Sequence, residues 1–218
     1  MSATAHLDAL PTALPARVWQ TSRHLVDLSR VQVMGIVNVT PDSFSDGGRD
    51  ASAALAHCEQ LIAEGADILD IGGESSRPGA ASVDVDSELA RVLPVLRAAL
   101  TLGVPVSVDT CKTEVMRAAL DLGVDIVNDI QALQAPGAVD VVALHPSCGV
   151  CLMHMRGEPR AMQVDPVYAD VVAEVAAFLD QRAALLRARG VAANRITLDP
   201  GIGFGKTVAH NFALLAGQ

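Results

Sequence analysis

The most constraining feature of this 218-residue chain is an alternation. Short apolar runs at residues 31–37, 67–72, 104–108, 124–127, 149–153 and 195–198 are mostly followed by segments with helical spacing. Leu55, Cys58, Leu61 and Ile62 share one face of a first helix, and Leu89, Val92, Leu93 and Leu96 share one face of a second. Val171, Val172, Val175, Phe178 and Leu179 mark a long helix before the sixth run. Strands alternating with helices predict a parallel sheet with crossover helices, because parallel neighbours need a long return path. An open doubly wound sheet and a (β/α)₈ barrel both fit this pattern. The first turn carries no Gly-x-Gly-x-x-Gly, which disfavours the dinucleotide-binding form of the open sheet.

The residues closing each run narrow the choice. In order they are Asn38, then Gly72-Gly73-Glu74-Ser75-Ser76-Arg77, then Asp109, Asn128, His154 and Asp199. One polar residue after a strand is an ordinary cap or turn former. Repeated at consecutive strand ends, the same feature points to a barrel mouth, where barrel active sites are assembled. Asp109, Asn128 and Asp199 would offer a carboxylate, an amide and a second carboxylate. That set matches a planar heterocycle with an amino group beside a ring N–H, such as a guanine-like or pterin ring. Acid–base chemistry on a sugar is the competing reading, but the loops supply no aromatic sugar platform. After Asn38 the chain breaks into Thr40-Pro41-Asp42-Ser43-Phe44-Ser45-Asp46-Gly47-Gly48, rich in oxygen groups suited to hydrated Mg²⁺ or a phosphate. Phe44 and Phe204, two of the few aromatics, fall in these loops and are read as ligand contacts. Arg77 offers a guanidinium able to grip an anion with two bonds.

Bulk properties bound the function. Half the residues are hydrophobic and only 19% are charged, enough for one domain with a real core. The net charge of −9 argues against nucleic acid or an anionic membrane as partner. No apolar stretch reaches the roughly 20 residues that span a bilayer, and residues 1–20 lack the pattern of a signal peptide. Cys58, Cys111, Cys148 and Cys151 suit free thiols in a reducing, cytoplasmic compartment. Two motifs are decoys at this level. Gly201-Ile202-Gly203-Phe204-Gly205-Lys206-Thr207 looks like a phosphate-binding loop but has Pro200 and the wrong glycine spacing. Cys148-Gly149-Val150-Cys151 with His154 lacks a fourth zinc ligand and runs into a strand rather than opening a helix.

From about residue 18 to 218 the sequence resembles bacterial dihydropteroate synthase. The resemblance rests on residues 34–48, read Met-Gly-Ile-Val-Asn-Val-Thr-Pro-Asp-Ser-Phe-Ser-Asp-Gly-Gly, and on Asp70-Ile71-Gly72-Gly73-Glu74-Ser75-Ser76-Arg77-Pro78-Gly79-Ala80. Shorter matches follow in order: Ser107-Val108-Asp109-Thr110, Ile126-Val127-Asn128-Asp129, Leu152-Met153-His154-Met155 and Leu198-Asp199-Pro200-Gly201. It implies a pterin-binding (β/α)₈ TIM barrel over residues 31–218, after a leader and short β segment at 1–30. About six of the eight βα units would be present.

The resemblance further implies condensation of dihydropterin-6-ylmethyl diphosphate with 4-aminobenzoate in folate synthesis, at a sulfonamide target. By motif, Asn38 would ligate Mg²⁺. Ser76, where the family usually has Thr, would bind substrate, with Arg77 beside it in the catalytic set. Asp109, Asn128 and Asp199 would hold the pterin, Asp109 also stabilising positive charge in its ring. Phe44 and Pro78 would border the aminobenzoate. The family's lysine and basic groups beyond the sixth unit have no counterpart here, so the 218 residues alone are expected to be inactive. A homodimer is the family's usual state. A non-catalytic pterin-binding fragment and a folate-binding methyltransferase domain remain the alternatives.

Overall fold

A computed structural model describes residues 17–39, 50–75, 82–157, 162 and 166–217. It begins with a hairpin, in which β1 (Val18–Gln20) pairs antiparallel with β2 (Leu25–Asp27). Six parallel strands follow: β3 (Met34–Asn38), β4 (Ile68–Gly72), β5 (Val106–Asp109), β6 (Ile126–Asp129), β7 (Gly149–Met153) and β8 (Ile196–Asp199). Between and after them lie α1 (Asp50–Ala63), α2 (Val85–Ala99), α3 (Thr113–Leu122), α4 (Ala138–Leu144), α5 (Val171–Ala188) and α6 (Val208–Ala216). The strands lie side by side in chain order, β3 to β8, with no reversal. A doubly wound sheet must reverse its order at a switch point, so this winding is that of a barrel wall. The strands fall within three residues of the apolar runs, and the helices expected from Leu55, Leu89 and Val171 are α1, α2 and α5.

Strand register divides the sheet into two faces. Val37, Leu69, Ile71, Val106, Val108, Val127, Val150 and Leu152 share one side and are buried in the main core. Against them pack Ala54 and Cys58 of α1, Val92 and Leu96 of α2, Val115, Met116 and Ala119 of α3, and Val175 and Leu179 of α5. Parallel strands buried in this way by helices read as continuous apolar runs rather than alternating ones. The opposite, concave face carries Met34, Ile36 and Asn38 on β3, Ile68, Asp70 and Gly72 on β4, and Ser107 and Asp109 on β5. Ile126 and Asn128 on β6, Cys151 and Met153 on β7, and Thr197 and Asp199 on β8 continue it.

The hairpin closes the N-terminal end of that concave face. Trp19 and Val26 pack with Ile68, Ile126 and Cys151, and the Trp19 indole N–H donates to the Arg195 carbonyl at 3.0 Å. Gly149 leaves the room this needs, since a Cβ there would lie 3.1 Å from the Gln20 carbonyl and the Trp19 nitrogen. The turn after β1 is fastened to fully buried Asp125, whose carboxylate accepts from the Arg23 backbone and guanidinium and from the Val106 N–H at 2.9 Å. One end of the wall is thus sealed by the hairpin, its apolar packing and the Arg23–Asp125 ion pair. No helix among the described residues is long and apolar enough to cross a membrane.

Candidate active site at the barrel mouth

Register alone assembles the strand-end residues. Asn38 pairs with Gly72, Gly72 with Asp109, Asp109 with Asn128, and Asn128 with Cys151, all facing the concave side. Asp199 enters one step further along, opposite Met153. Gly72 leaves a gap beside the Asp109 carboxylate, as a Cβ there would lie 3.3 Å from Oδ2. Asn38, Asp109, Asn128 and Asp199 are therefore brought together on one face. Phe204 lies on the loop leaving β8, half-buried. Phe44, Ser76, Arg77 and Pro78 lie outside the described residues.

The floor of this mouth is a dense carboxylate environment. The Asn128 amide donates from Nδ2 to Asp70 Oδ2 at 2.9 Å, reaching over β5 and fixing which way the amide faces. Asp70 was quoted only as part of a motif in the sequence, yet its carboxylate orients a candidate ligand group. Burial, reinforced by the charges of Asp70, Asp129, Glu88 and Glu74, holds the Asp109 carboxyl well above the usual carboxylate range. Burial likewise raises Asp70, against the opposing hydrogen bond from Asn128. An ionised carboxylate in such a place is costly until an N–H-rich or positively polarised partner reaches it. The site is built to reward a cationic, planar donor.

Beside it lies a network with no sequence signature. Lys112, just before α3, bridges the carboxylates of Glu74 and Glu88. Glu88 is fully buried and its other oxygen accepts from Thr110 Oγ1 at 2.6 Å. Glu74 also accepts from the Val83 N–H at 3.2 Å, so the start and end of the β4–α2 connection are joined. The turn after β6 is held comparably. Asp129 accepts from the N–H groups of Gln131 and Leu133, both at 2.7 Å, while Arg182 donates to the carbonyls of Ala132 and Leu133. Ala132 and Leu133 both sit at positive φ, 53° and 59°, a strained arrangement that the surrounding bonds impose next to Asn128.

His154 belongs to a different structure than the mouth. It is buried, with Phe178 edge-on to its ring at 5.0 Å, and its Nδ1 lies 3.1 Å from Lys206 Nζ. Cys148 lies under α4, its sulfur 3.3 Å from Arg195, whereas Cys151 faces the concave side. Among the described residues no three His, Cys, Asp or Glu side chains form a metal-binding group. Cys148 packs in the main core and Cys151 in the cluster under the hairpin, so the two cysteines do not converge with His154.

With this geometry in hand, the comparisons with known proteins are decisive. Residues 34–217 match the family model described as pterin binding enzyme. The chain is 55% identical over 202 residues to dihydropteroate synthase of Neisseria meningitidis serogroup C, covering 91% of this chain and 71% of that protein. The chain belongs to the dihydropteroate synthase family. Solved structures agree. The dihydropteroate synthase of Burkholderia cenocepacia, complexed with 7,8-dihydropteroate, superposes with a TM-score of 0.83 at 52% identity, covering 94% of this chain and 70% of that one. That of Xanthomonas albilineans with 4-aminobenzoic acid gives 0.85 at 49% identity, covering 93% and 72%. The six in-order strands are accordingly an arc of the dihydropteroate synthase TIM barrel, and the chain spans about 70% of the length of these relatives.

Proposed function

We propose that the concave mouth holds the pterin of dihydropterin-6-ylmethyl diphosphate and joins its methylene carbon to the nitrogen of 4-aminobenzoate, making dihydropteroate. The C–O bond to diphosphate breaks, the C–N bond forms, and the attacking amine loses a proton. The single observation carrying this reading is the convergence of Asp109, Asn128 and Asp199 on one face, as the acceptors an amino-pyrimidinone edge requires. As diphosphate departs, positive charge spreads into the ring. The Asp109 carboxyl, crowded by like charges, is the group that gains most from it. The ligands of the related structures, 7,8-dihydropteroate in one and 4-aminobenzoic acid in the other, support the same product and amine substrate. In this reading Ser76, Arg77, Phe44 and Pro78 serve the aminobenzoate and diphosphate side, and Phe204 lines the pocket.

Mg²⁺ is part of the proposal. Its chemistry would be to neutralise the departing diphosphate. Asn38 offers one hard amide oxygen at the mouth. Mg²⁺ usually takes one or two protein oxygens and completes its shell with water and substrate phosphates, so a single donor of this kind fits. The reading is of a cytoplasmic enzyme acting on small molecules, as a homodimer, without nucleic acid or membrane partners. The four cysteines as free thiols agree with a reducing compartment.

Asp199→Asn tests the pterin assignment. Removing one charged acceptor from paired N–H groups should cost about 1.5–3 kcal/mol of pterin affinity. Calorimetric titration of the purified protein with a pterin analogue measures it, and unchanged affinity sinks the assignment.

A further inference from the structure

The glycine-rich stretch from Gly201 to Thr207, dismissed as a phosphate loop, has a use the reaction itself does not explain. Lys206 is only 3% exposed. Its Nζ donates to the carbonyls of Gly201 and Phe204, both at 2.9 Å, and of His154 at 3.2 Å, and it lies 3.1 Å from His154 Nδ1. The loop curls round its own lysine. Gly201 and Gly205 both have positive φ and both press on neighbouring backbone. A Cβ would lie 2.0 Å from the His154 carbonyl at Gly201, and 2.6 Å from the Arg156 carbonyl at Gly205. Only glycine lets the chain turn its carbonyls inward so closely.

The imidazole completes the enclosure. Burial, with the Lys206 charge second, holds the His154 ring down at about 4, so it is neutral at neutral pH and Nδ1 can accept from the ammonium. The cage is wired to the mouth by two hydrogen bonds. Gly201, whose carbonyl accepts from Lys206, donates its N–H to Asp199 Oδ1 at 2.7 Å. His154, whose ring and carbonyl meet the same ammonium, donates its N–H to the Asp199 carbonyl at 2.9 Å.

We propose that Lys206 is a positioning residue for the pterin wall: its ammonium, enclosed by the His154, Gly201 and Phe204 carbonyls and the His154 ring, sets the β8–α6 loop and thereby the Asp199 carboxylate. In this role Lys206 acts on the Asp199 carboxylate through Gly201. Without a cation, the inward carbonyls of His154 and Phe204 lose their donor and that of Gly201 keeps only the Phe204 N–H at 3.1 Å, so the loop must turn peptides elsewhere to satisfy them. This rests on the reading of Asp199 as a pterin ligand.

Lys206→Ala tests it, because truncation leaves a cage that a small cation can refill. Titrated with a pterin analogue in sodium buffer, the variant should bind at least ten-fold more weakly, with an unchanged far-ultraviolet circular dichroism spectrum. Tens of millimolar methylammonium or ammonium chloride should restore most of that affinity. Tetramethylammonium chloride, too large for the cage, should not. A merely structural lysine stem would not show this selectivity. Wild-type affinity in the variant overturns the proposal, as does a loss that no small ammonium ion repairs. Folding of the variant only when ammonium is present supports the proposal. If it folds under no condition, His154→Leu decides: several-fold weaker pterin binding supports the cage, and unchanged binding overturns it. Asp199→Asn separates the two levels. Unchanged affinity there defeats the pterin reading itself, whereas a loss there beside an unaffected Lys206→Ala defeats only the lysine's role.

Discussion

Two lysines are sunk into the rim of this barrel, and their surroundings are opposites. Lys112 lies between two carboxylates on the β4–β5 side, and Lys206 lies among carbonyls and a neutral imidazole on the β7–β8 side. At Lys112 burial works to lower the pKa, but hydrogen bonds to Glu74 and Glu88 outweigh it and the ammonium ends up raised. At Lys206 burial wins, with only the more distant charge of Asp199 opposing it, and the pKa falls from 10.5 to about 8. One ammonium neutralises formal charge that would otherwise be stranded. The other organises dipoles. The lesson is that a buried lysine's role follows from whether its partners carry charge.

The largest expected effect follows from that difference. Lys112→Met leaves the fully buried Glu88 carboxylate without its cation, and breaking a buried pair from one side typically costs about 3–5 kcal/mol. Lys206→Met strands uncharged acceptors instead, at about 1–3 kcal/mol of desolvation penalty. Urea unfolding of both variants beside the parent protein would measure the gap. Equal costs would mean that charge is not what separates the two sites.

Alkaline pH should sharpen the same contrast, with opposite signs. Between about 8 and 10.5 the unfolded chain keeps the Lys206 proton that the folded chain gives up. The unfolded state then binds more protons, so this residue makes stability rise with pH through that window, by about 3 kcal/mol in all. Lys112 is raised, so its contribution is complete below 10.5 and is lost only as pH climbs beyond that value through the folded one. Unfolding free energies measured from pH 7.5 to 10 should lose their upward component in Lys206→Met and keep it in Lys112→Met. A Lys206→Met profile parallel to that of the parent would refute the depressed pKa.

How far these regions could be read beforehand follows from what sequence patterns encode. Asn38, Asp109, Asn128 and Asp199 were legible because a parallel strand fixes where its last residue sits and period-two alternation fixes which face it takes. His154 ends a strand in the same manner, and that rule placed it at the mouth. Its ring was instead taken by Lys206, a partner 52 residues away that no strand pattern indicates. Lys206 itself was hidden by its motif. Its glycines look like those of a phosphate-binding loop, yet they let carbonyls, not N–H groups, converge on a charge. The Glu74–Lys112–Glu88 bridge joins a loop, a helix face and a turn, so only the packing of α2 beside β5 brings it together. Asp70 is a midstrand residue whose role depends on reaching over β5 to Asn128.

The smallest effect belongs to a pair with the same chemistry as the Lys112 bridge and none of its burial. Arg189 and Asp140 form an ion pair on the outer surface with both side chains about half exposed, 53% and 54%. Water already solvates each partner well, so bringing them together gains little, and ordering two mobile side chains consumes part of that gain. Asp140→Asn should therefore change unfolding free energy by no more than about 0.5 kcal/mol, and 1 M salt should erase even that. The same salt should leave most of the Lys112→Met penalty intact, because ions cannot screen a carboxylate that has no contact with solvent. Measuring both variants at low and high salt tests the point directly. A salt-sensitive Lys112→Met penalty would show that Glu88 is reached by water, and the contrast between the two lysines would then lie in local hydration rather than in the charge of their partners.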